Sequence, residues 1–303
     1  MSLPLKELIN IGAQQLRDAG VADADIDAKE LMCYMQGLDR VGLMLRWQDV
    51  MQDNQCEAYF DLIARRASRV PLQHITGTQE FMGLTFAVNS DVLIPRQDTE
   101  TMVEDALELA EKGTLRGQAY TDSLKKGGDV LDLCCGSGAI GVSLAKLNSK
   151  LHVTCSDLSP AALKVSRMNA VTNGCKSVKF AESDMFAAFK GKLGNKKFDL
   201  IISNPPYIPP AVIEGLEPEV RDHEPMMALA GGEDGLDFYR RIAAEAPDHM
   251  KKGAVLMMEI GHDQRDAVKE LLRVTGRFDR IIGLTDLAGK DRIVVAQLAP
   301  KTK

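Results

Sequence analysis

The sequence predicts an α/β fold, with a mostly parallel sheet covered by helices on both faces, preceded by a small helical bundle and a β-hairpin. From Asp129 onward, short apolar runs alternate with helical patterns, as in chains whose strands pair in parallel. Residues 1–70 show only the spacing of amphipathic helices. Between Val70 and Pro95 apolar residues recur at alternate positions, which is typical of strands.

The composition disfavours disordered proteins, membrane-spanning proteins and proteins with a large nucleic-acid surface. Of 303 residues, 45% are hydrophobic and 26% are charged, which predicts ordered domains rather than disorder. The net charge of −6 disfavours a large nucleic-acid surface, so we expect no stable nucleic-acid partner. No apolar run approaches the roughly 18 residues of a membrane span, and no signal peptide is visible. We therefore expect a cytoplasmic monomer that does not bind a membrane.

The first 70 residues predict three short helices that pack together. Ser2 is typical of a helix start, and Gly20 of a helix end. A second helix is expected over residues 25–36 with Ile26 facing inward, and a third over residues 54–68.

A hairpin and a further helix follow the bundle. Phe86 belongs to the alternating apolar pattern, and Gly83 lies where the hairpin turn is expected. Asp98 is expected to cap a helix that ends near Glu111. The polar stretch over residues 112–128 predicts a loop.

The sheet strands are predicted from six apolar runs, and helical patterns lie between most of them. These runs are Val130–Leu133, Leu151–Cys155, Val178–Ala181, Phe198–Ser203, Ala254–Ile260 and Ile293–Leu298.

A glycine motif follows the first of these strands. Gly136, Gly138 and Gly141 spell G-x-G-x-x-G, and Asp157 ends the next strand, as in dinucleotide sites. Asp132, however, precedes the glycines, and a pyrophosphate is bound by N–H donors without an anion beside it. A carboxylate suits a cation such as a sulfonium-bearing amino acid, which favours S-adenosylmethionine over NAD. The alternative is a glycine turn that only packs a helix on the sheet.

Two further strand ends carry candidate cofactor contacts. Asp157 could accept both ribose hydroxyl protons, or it could only cap the helix that begins at Pro160. Asp184 could accept a hydrogen bond from an adenine amino group, with Met185 against the ring. The alternative for that pair is a turn aspartate beside a core methionine.

The most specific motif is Asn204-Pro205-Pro206-Tyr207, directly after the strand Phe198–Ser203. The prolines end the strand and hold the preceding carbonyl groups in place. The Asn204 side-chain oxygen and the Pro205 carbonyl could accept the two protons of a planar amino group, while Tyr207 packs on its face. Aiming that nitrogen at an electrophilic methyl group is a task of proximity and electrostatics.

These motifs resemble those of known enzymes. Asp132–Gly138 and Asp157 resemble the cofactor motifs of class I S-adenosylmethionine-dependent methyltransferases, and Asn204–Tyr207 resembles the motif of those that methylate planar amino nitrogens. Further segments resemble the HemK/PrmC family of peptide chain release factor glutamine methyltransferases. They are Pro71–Gly77, Val92–Glu100, Glu219–Pro225, Gly231–Tyr239 and Gly289–Arg292.

The resemblance implies a seven-stranded Rossmann-like sheet whose last strand is antiparallel. It implies three parts: a helical substrate-docking domain over residues 1–70, a hairpin connector over 71–97 and a methyltransferase domain over 98–303. It also implies that a release factor is the protein partner, that the cofactor is S-adenosylmethionine, and that S-adenosylhomocysteine is its product.

The resemblance also implies the site residues. The cofactor is expected to contact Asp132, Leu133, Cys134, Cys135, Gly136, Gly138, Asp157, Leu158, Asp184, Met185 and Asn204. The substrate is expected to contact Asn204, Pro205, Pro206, Tyr207 and Arg96, and the first four are expected to be catalytic. The scattered histidines and the absence of a Cys-x-x-Cys pair predict no metal site.

Four positions depart from the family pattern. Cys134-Cys135 stand where Gly-Thr is more frequent, Gln97 where proline is common, and His74 where tyrosine is common. Asp98-Thr99-Glu100 favours release factors over a ribosomal protein as the substrate. Ribosomal-protein methylation, adenine methylation of nucleic acid, a catalytically silent binding subunit and NAD-dependent chemistry remain the alternatives.

Overall fold

The computed structural model describes residues 3–191 and 195–299, so Ser2 lies outside the described residues. The chain forms two compact units. One is Met1–Thr78 with Leu216–His223, and the other is Gln79–Gly215 with Glu224–Lys303. We call them the helical unit and the sheet unit.

The helices and strands have the following bounds. The α-helices are α1 Leu5–Asp18, α2 Ala24–Gln36, α3 Arg40–Leu45, α4 Asp53–Ala67, α5 Leu72–Thr76, α6 Gln97–Lys112, α7 Ala139–Leu147, α8 Pro160–Thr172, α9 Pro210–Ile213, α10 Pro218–Arg221, α11 Met226–Leu229, α12 Asp237–Glu245 and α13 Arg265–Val274. The strands are β1 Leu3–Pro4, β2 Val50–Met51, β3 Thr78–Phe81, β4 Leu84–Ala87, β5 Thr114–Leu115, β6 Gln118–Ala119, β7 Asp129–Leu133, β8 His152–Asp157, β9 Lys179–Glu182, β10 Phe198–Ser203, β11 Met250–Glu259, β12 Phe278–Thr285 and β13 Asp291–Leu298.

The helical unit packs α1, α2 and α4 around one apolar core, as the spacing of apolar residues predicts. Leu8 of α1 and Leu31 of α2 are fully buried in it. Tyr59 of α4 is also fully buried, and its hydroxyl donates to Ala28 O at 3.0 Å. Gly20 takes a left-handed backbone (φ +75°) just after α1, which confirms its place at the helix end.

A short segment that is distant in sequence completes the helical unit. Glu219, from α10, receives hydrogen bonds from Arg66 Nη1 at 2.8 Å and from Arg69 Nη2 at 2.6 Å. Arg66 also pairs with the buried Asp27 at 2.7 Å. Burial opposes ionisation of Glu219, but the bonds from Arg69 and Arg66 lower its pKa to about 2. The segment Leu216–His223 is thus held by two arginines of the region around α4.

The sheet unit has the predicted topology. Within the described residues, seven strands form one sheet in the order β12-β13-β11-β10-β7-β8-β9. Strands β7 to β11 pair in parallel, whereas β13 is antiparallel to both neighbours. The chain passes from β7 through β8 and β9 in one direction, and β10 lies on the other side of β7. This reversal of strand order is where ligands bind in open α/β sheets.

The hairpin β3–β4 agrees with the alternating pattern, and its turn explains the glycine. Met82 and Gly83 both have positive φ, +54° and +69°, as in the two-residue turns that match strand twist. Phe81 and Phe86 on its inner face are buried, with ring centroids 6.0 Å apart in an edge-to-face arrangement.

Four local predictions are wrong. Ile26 is 52% exposed, because Asp27 takes the inner face of α2 to meet Arg66. Asp98 does not cap α6, since Arg96 holds the cap position and Asp98 lies in the first turn. The loop over residues 112–128 contains the short hairpin β5–β6. The strand β12 is absent from the predicted apolar runs.

Candidate functional site

A cavity of about 300 Å³ lies in the sheet unit, at the carboxyl ends of β7 to β10. It is lined by the residues that follow each of these strands. They are Leu133, Cys134, Cys135, Gly136 and Ser137 after β7, Asp157, Leu158 and Ser159 at β8, Ser183, Asp184 and Met185 after β9, and Asn204 and Pro206 after β10. The structure therefore brings most of the predicted cofactor residues to one wall.

The three glycines of the turn after β7 have two different roles. A Cβ at Gly136 would meet no other atom within 4 Å, and Gly136 lines the cavity, so its bare backbone faces open space. A Cβ at Gly138 would lie 2.2 Å from Ser166 Oγ, and one at Gly141 would lie 2.5 Å from Cys155 Sγ. Gly136 leaves room for a ligand, whereas the other two allow α7 to pack closely.

Asp157 ends β8 and braces the glycine turn. Its Oδ2 accepts a hydrogen bond from Gly136 N at 2.8 Å, and its Oδ1 accepts one from Ser159 N at 2.9 Å. Burial raises the pKa of this carboxyl, although the two hydrogen bonds oppose the shift. Each carboxylate oxygen has a second lone pair, so Asp157 can still accept hydrogen bonds from hydroxyl groups in the cavity.

Asp132 lies beneath the turn and is fully buried. Its Oδ2 accepts a hydrogen bond from Gly141 N at 2.8 Å, while Oδ1 has no hydrogen-bond partner in the described part of the chain. Burial raises its pKa to about 7. Neither Asp132 nor Gly138 is among the described residues that line the cavity.

Asp184 and Met185 form the part of the wall that follows β9. Asp184 Oδ1 accepts a hydrogen bond from Arg241 Nη2 at 2.7 Å, so an ion pair already holds this carboxylate. Met185 is buried and has a left-handed backbone (φ +49°). The Ser183 hydroxyl donates to Met185 O at 2.7 Å and stabilises that turn.

The Asn-Pro-Pro-Tyr turn places only part of its length at the cavity. Asn204 and Pro206 line it, whereas Pro205 and Tyr207 are not among its described lining residues. The Tyr207 carbonyl accepts a hydrogen bond from Gln264 Nε2 at 2.9 Å, which anchors the end of the turn. Burial raises the pKa of Tyr207 to about 12, so its hydroxyl is neutral.

Arg96 also lines this cavity, and a buried glutamate pairs with its guanidinium group. Its Nη2 donates to Glu224 Oε2 at 2.6 Å, and the Glu224 side chain is 1% exposed. Glu224 Oε1 also accepts a hydrogen bond from Ile94 N at 3.2 Å. One carboxylate therefore fixes both the guanidinium and the backbone that leads to α6.

Comparison with known proteins places the chain in a family. The family model of the PrmC N-terminal domain matches residues 7–77, and that of the methyltransferase small domain matches residues 117–214. A release factor glutamine methyltransferase of Geobacter sulfurreducens is 42% identical over 279 residues, 92% of this chain and 91% of the relative. This chain belongs to the release factor glutamine methyltransferase family. A member from Clostridium acetobutylicum is 40% identical over 271 residues, 89% of this chain and 90% of its own.

The fold of this family member also resembles that of a solved structure with little sequence identity. The structure titled as the hMettl16 catalytic domain in complex with MAT2A 3′UTR hairpin 6 aligns with a TM-score of 0.55. It covers 84% of this chain and 87% of that chain at 11% identity. At that identity the likeness concerns the fold alone, and it agrees with the predicted α/β class.

Several cavity residues of this glutamine methyltransferase family member were missed by sequence reasoning. They are Phe81, Val92, Thr99, Ile140, Phe238 and Arg241. Val92 and Thr99 lie in the Val92–Glu100 motif, which could have indicated them, whereas Phe81 and Arg241 carry no such signal.

Among residues 3–191 and 195–299, no group of three His, Cys, Asp or Glu side chains is arranged to hold a metal ion. In the same described ranges, no helix is both long and apolar enough to span a membrane.

Proposed function

We propose that this chain transfers the methyl group of S-adenosylmethionine to the side-chain amide nitrogen of a glutamine in a peptide chain release factor. The observation that carries the proposal is the position of Asn204, which lines the same cavity as Asp157 and Gly136. An acceptor for amide protons and a wall suited to a nucleoside thus share one enclosed space. We further propose that the protein acts in the cytoplasm, where translation takes place.

The cavity residues fit S-adenosylmethionine by their chemistry. Gly136 has open space where a side chain would stand, and Asp157 offers acceptors for ribose hydroxyl groups. Asp184 and Met185 would hold the adenine. The backbone of Leu133–Cys135 would hold the methionine end. A direct contact with Asp132, which is fully buried and does not line the cavity, stays a prediction. When bound, the cofactor supplies an electrophilic methyl group on a sulfonium.

The residues after β10 would orient the substrate amide. Asn204 Oδ1 and the Pro205 carbonyl would accept the two amide protons, so that the nitrogen lone pair points into the cavity. A cofactor held beside Asp157 and Gly136 would supply its methyl group to this nitrogen, with S-adenosylhomocysteine as the leaving group, and the nitrogen would lose one proton to water. Packing of Tyr207 on the amide stays a prediction, as does contact of Arg96 with the substrate.

The experiment offers the protein a choice of acceptors. Radiolabelled S-adenosylmethionine is incubated with the protein and, separately, with a release factor, ribosomal proteins or nucleic acid. We expect label on one glutamine of the release factor, and none when that glutamine is replaced by asparagine. Label on nucleic acid alone would instead support adenine methylation, since the same turn can hold an adenine amino group.

Residues 1–70 are proposed to recognise the release factor, and an apolar patch on the helical unit supports this. Met44 and Leu45 are 72% and 83% exposed. Replacing both with aspartate should raise KM for an intact release factor by about tenfold, the loss of roughly 1.4 kcal/mol of apolar contact. Steady-state kinetics should show an unchanged KM for a short glutamine peptide.

The matched control is Leu287→Asp, since Leu287 is a 95% exposed leucine of the sheet unit. That variant should leave both KM values unchanged. Equal losses on peptide and intact release factor in the Met44/Leu45 variant would argue against docking through this patch.

A further inference from the structure

A chain of polar groups runs from the end of β11 to the cavity. Thr99 Oγ1 donates to Glu259 Oε2 at 2.6 Å, and Asn204 Nδ2 lies 3.5 Å from Thr99 Oγ1. Glu259 is 2% exposed and Thr99 is 4% exposed. Thr99 and Asn204 line the cavity, so the chain links a buried carboxylate to the proposed substrate contact.

The chemistry of these groups determines which of them donates and which accepts each hydrogen bond. An ionised carboxylate only accepts hydrogen bonds, so the single proton of the Thr99 hydroxyl is committed to Glu259. The remaining lone pairs of Thr99 Oγ1 can then only accept. Asn204 must present its NH₂ group to Thr99, and this leaves Asn204 Oδ1 free to face the cavity.

We propose that Glu259 is a positioning residue that acts through Thr99, and by its own attraction for the Asn204 NH₂ group, to fix the amide orientation of Asn204, so that Asn204 Oδ1 faces the substrate nitrogen. The inference rests on the proposed function, because it concerns how that site holds its amide. Without the carboxylate, Asn204 could rotate and present an N–H group to the N–H groups of the substrate. That arrangement would repel the substrate amide instead of binding it.

The groups around Glu259 make the orientation of the Asn204 side chain sensitive to pH. Burial raises the pKa of Glu259 to about 7, while the hydrogen bond from Thr99, the charge of Arg292 and the side-chain NH₂ group of Asn204 favour ionisation. Asp98 acts in the opposite direction, and Arg292 pairs with it at 2.9 Å. Tyr207 and Tyr239, the other titratable groups affected by Glu259, stay neutral because burial raises their pKa values. A protonated Glu259 can donate to Thr99, and this reverses the donor and acceptor roles along these hydrogen bonds.

The kinetic test uses the full-length protein and a release factor. Glu259→Gln and Thr99→Val should each lower kcat by about tenfold or more, with the affinity for S-adenosylmethionine changed by less than about twofold. Thr99→Ser restores the hydroxyl and should stay close to wild type. If Glu259 acts through Asn204, Glu259→Gln should cause little further loss in an Asn204→Ala background.

The chain offers a control for removing the charge of a glutamate that is paired with a threonine. Glu108, near the other end of α6, accepts a hydrogen bond from Thr114 Oγ1 at 2.5 Å, so it forms a similar Glu–Thr pair away from Asn204. Glu108→Gln should leave kcat unchanged. The wild-type kcat should fall as pH drops through the Glu259 pKa, and Glu259→Gln should lose that dependence.

A second measurement does not depend on activity. In protein labelled with ¹⁵N at asparagine side chains, the Asn204 signal is assigned by its absence from Asn204→Ala. It should move with pH around neutrality in the wild type and stay fixed in Glu259→Gln. A wild type that methylates no release factor would refute the proposed function, and this titration would then still decide the inference. A wild-type signal insensitive to pH, or wild-type kcat in Glu259→Gln and Thr99→Val, would overturn it.

Discussion

Asn204→Ala is expected to lower kcat on a release factor by about 10²-fold or more, comparable to removing one oriented polar group from other active sites. Asn204 follows β10 directly and lines the cavity. As the amide nitrogen becomes tetrahedral it develops positive charge. The hydrogen bond from its N–H group to Asn204 Oδ1 is therefore proposed to be stronger in the transition state than in the ground state. The loss should therefore fall on kcat rather than on KM.

Asn204→Asp is the sharper variant, because it keeps the shape of the side chain and an acceptor oxygen. It adds a negative charge that could hold the cationic cofactor too tightly in the ground state, so we expect activity between that of Asn204→Ala and the wild type. Circular dichroism should show an intact fold in both variants, since Pro205 and Pro206 shape the turn. A folded Asn204→Ala protein with near wild-type kcat would refute the proposed role.

Three of the four strands that carry the site, β7, β8 and β10, are predictable because they are mostly buried on both faces. Strand β10, Phe198–Ser203, is buried at every position and has the bounds that its apolar run predicts. Strand β12 was missed because it lies at the sheet edge and is mostly half-buried. Polar residues such as Arg280 interrupt it, so it has no apolar run.

Errors in the helices have tertiary causes. A buried aspartate contradicts the usual hydrophobic pattern, and Asp27 is buried only because Arg66, distant in sequence, meets it at 2.7 Å. Asp98 looks like a helix cap, yet it lies two residues after the cap position, in the first turn of α6, and pairs with Arg292 at 2.9 Å. Neither partner can be inferred from local sequence.

The site residues also differ in whether the local sequence reveals their role. The glycine turn and Asp157 follow strands in a known pattern, so sequence reasoning could place them beside one another. Glu259 gave one unused signal, because it is the single carboxylate in the otherwise apolar run Ala254–Ile260. Its role depends on Thr99, which comes from a helix that precedes the whole parallel sheet in sequence. Only the folded chain brings these residues together.

Asp157→Ala is expected to weaken S-adenosylmethionine binding by roughly 1.5–3 kcal/mol, the scale of lost charge-assisted hydrogen bonds. Titration calorimetry of the full-length protein measures it directly. The structure also gives Asp157 a second role, because its oxygens hold Gly136 N at 2.8 Å and Ser159 N at 2.9 Å. A loosened glycine turn would weaken binding as well, so the two causes must be separated.

A ligand that lacks the ribose hydroxyl groups separates these causes. If Asp157 binds the ribose, the variant should lose much less affinity for 2′,3′-dideoxy S-adenosylhomocysteine than for S-adenosylhomocysteine, because the contact is already missing from the complex. If Asp157 only braces the glycine turn, both ligands should lose the same affinity. Asp157→Asn keeps one carbonyl oxygen and should fall between alanine and wild type. Unchanged affinity for S-adenosylhomocysteine in Asp157→Ala would contradict the ribose assignment.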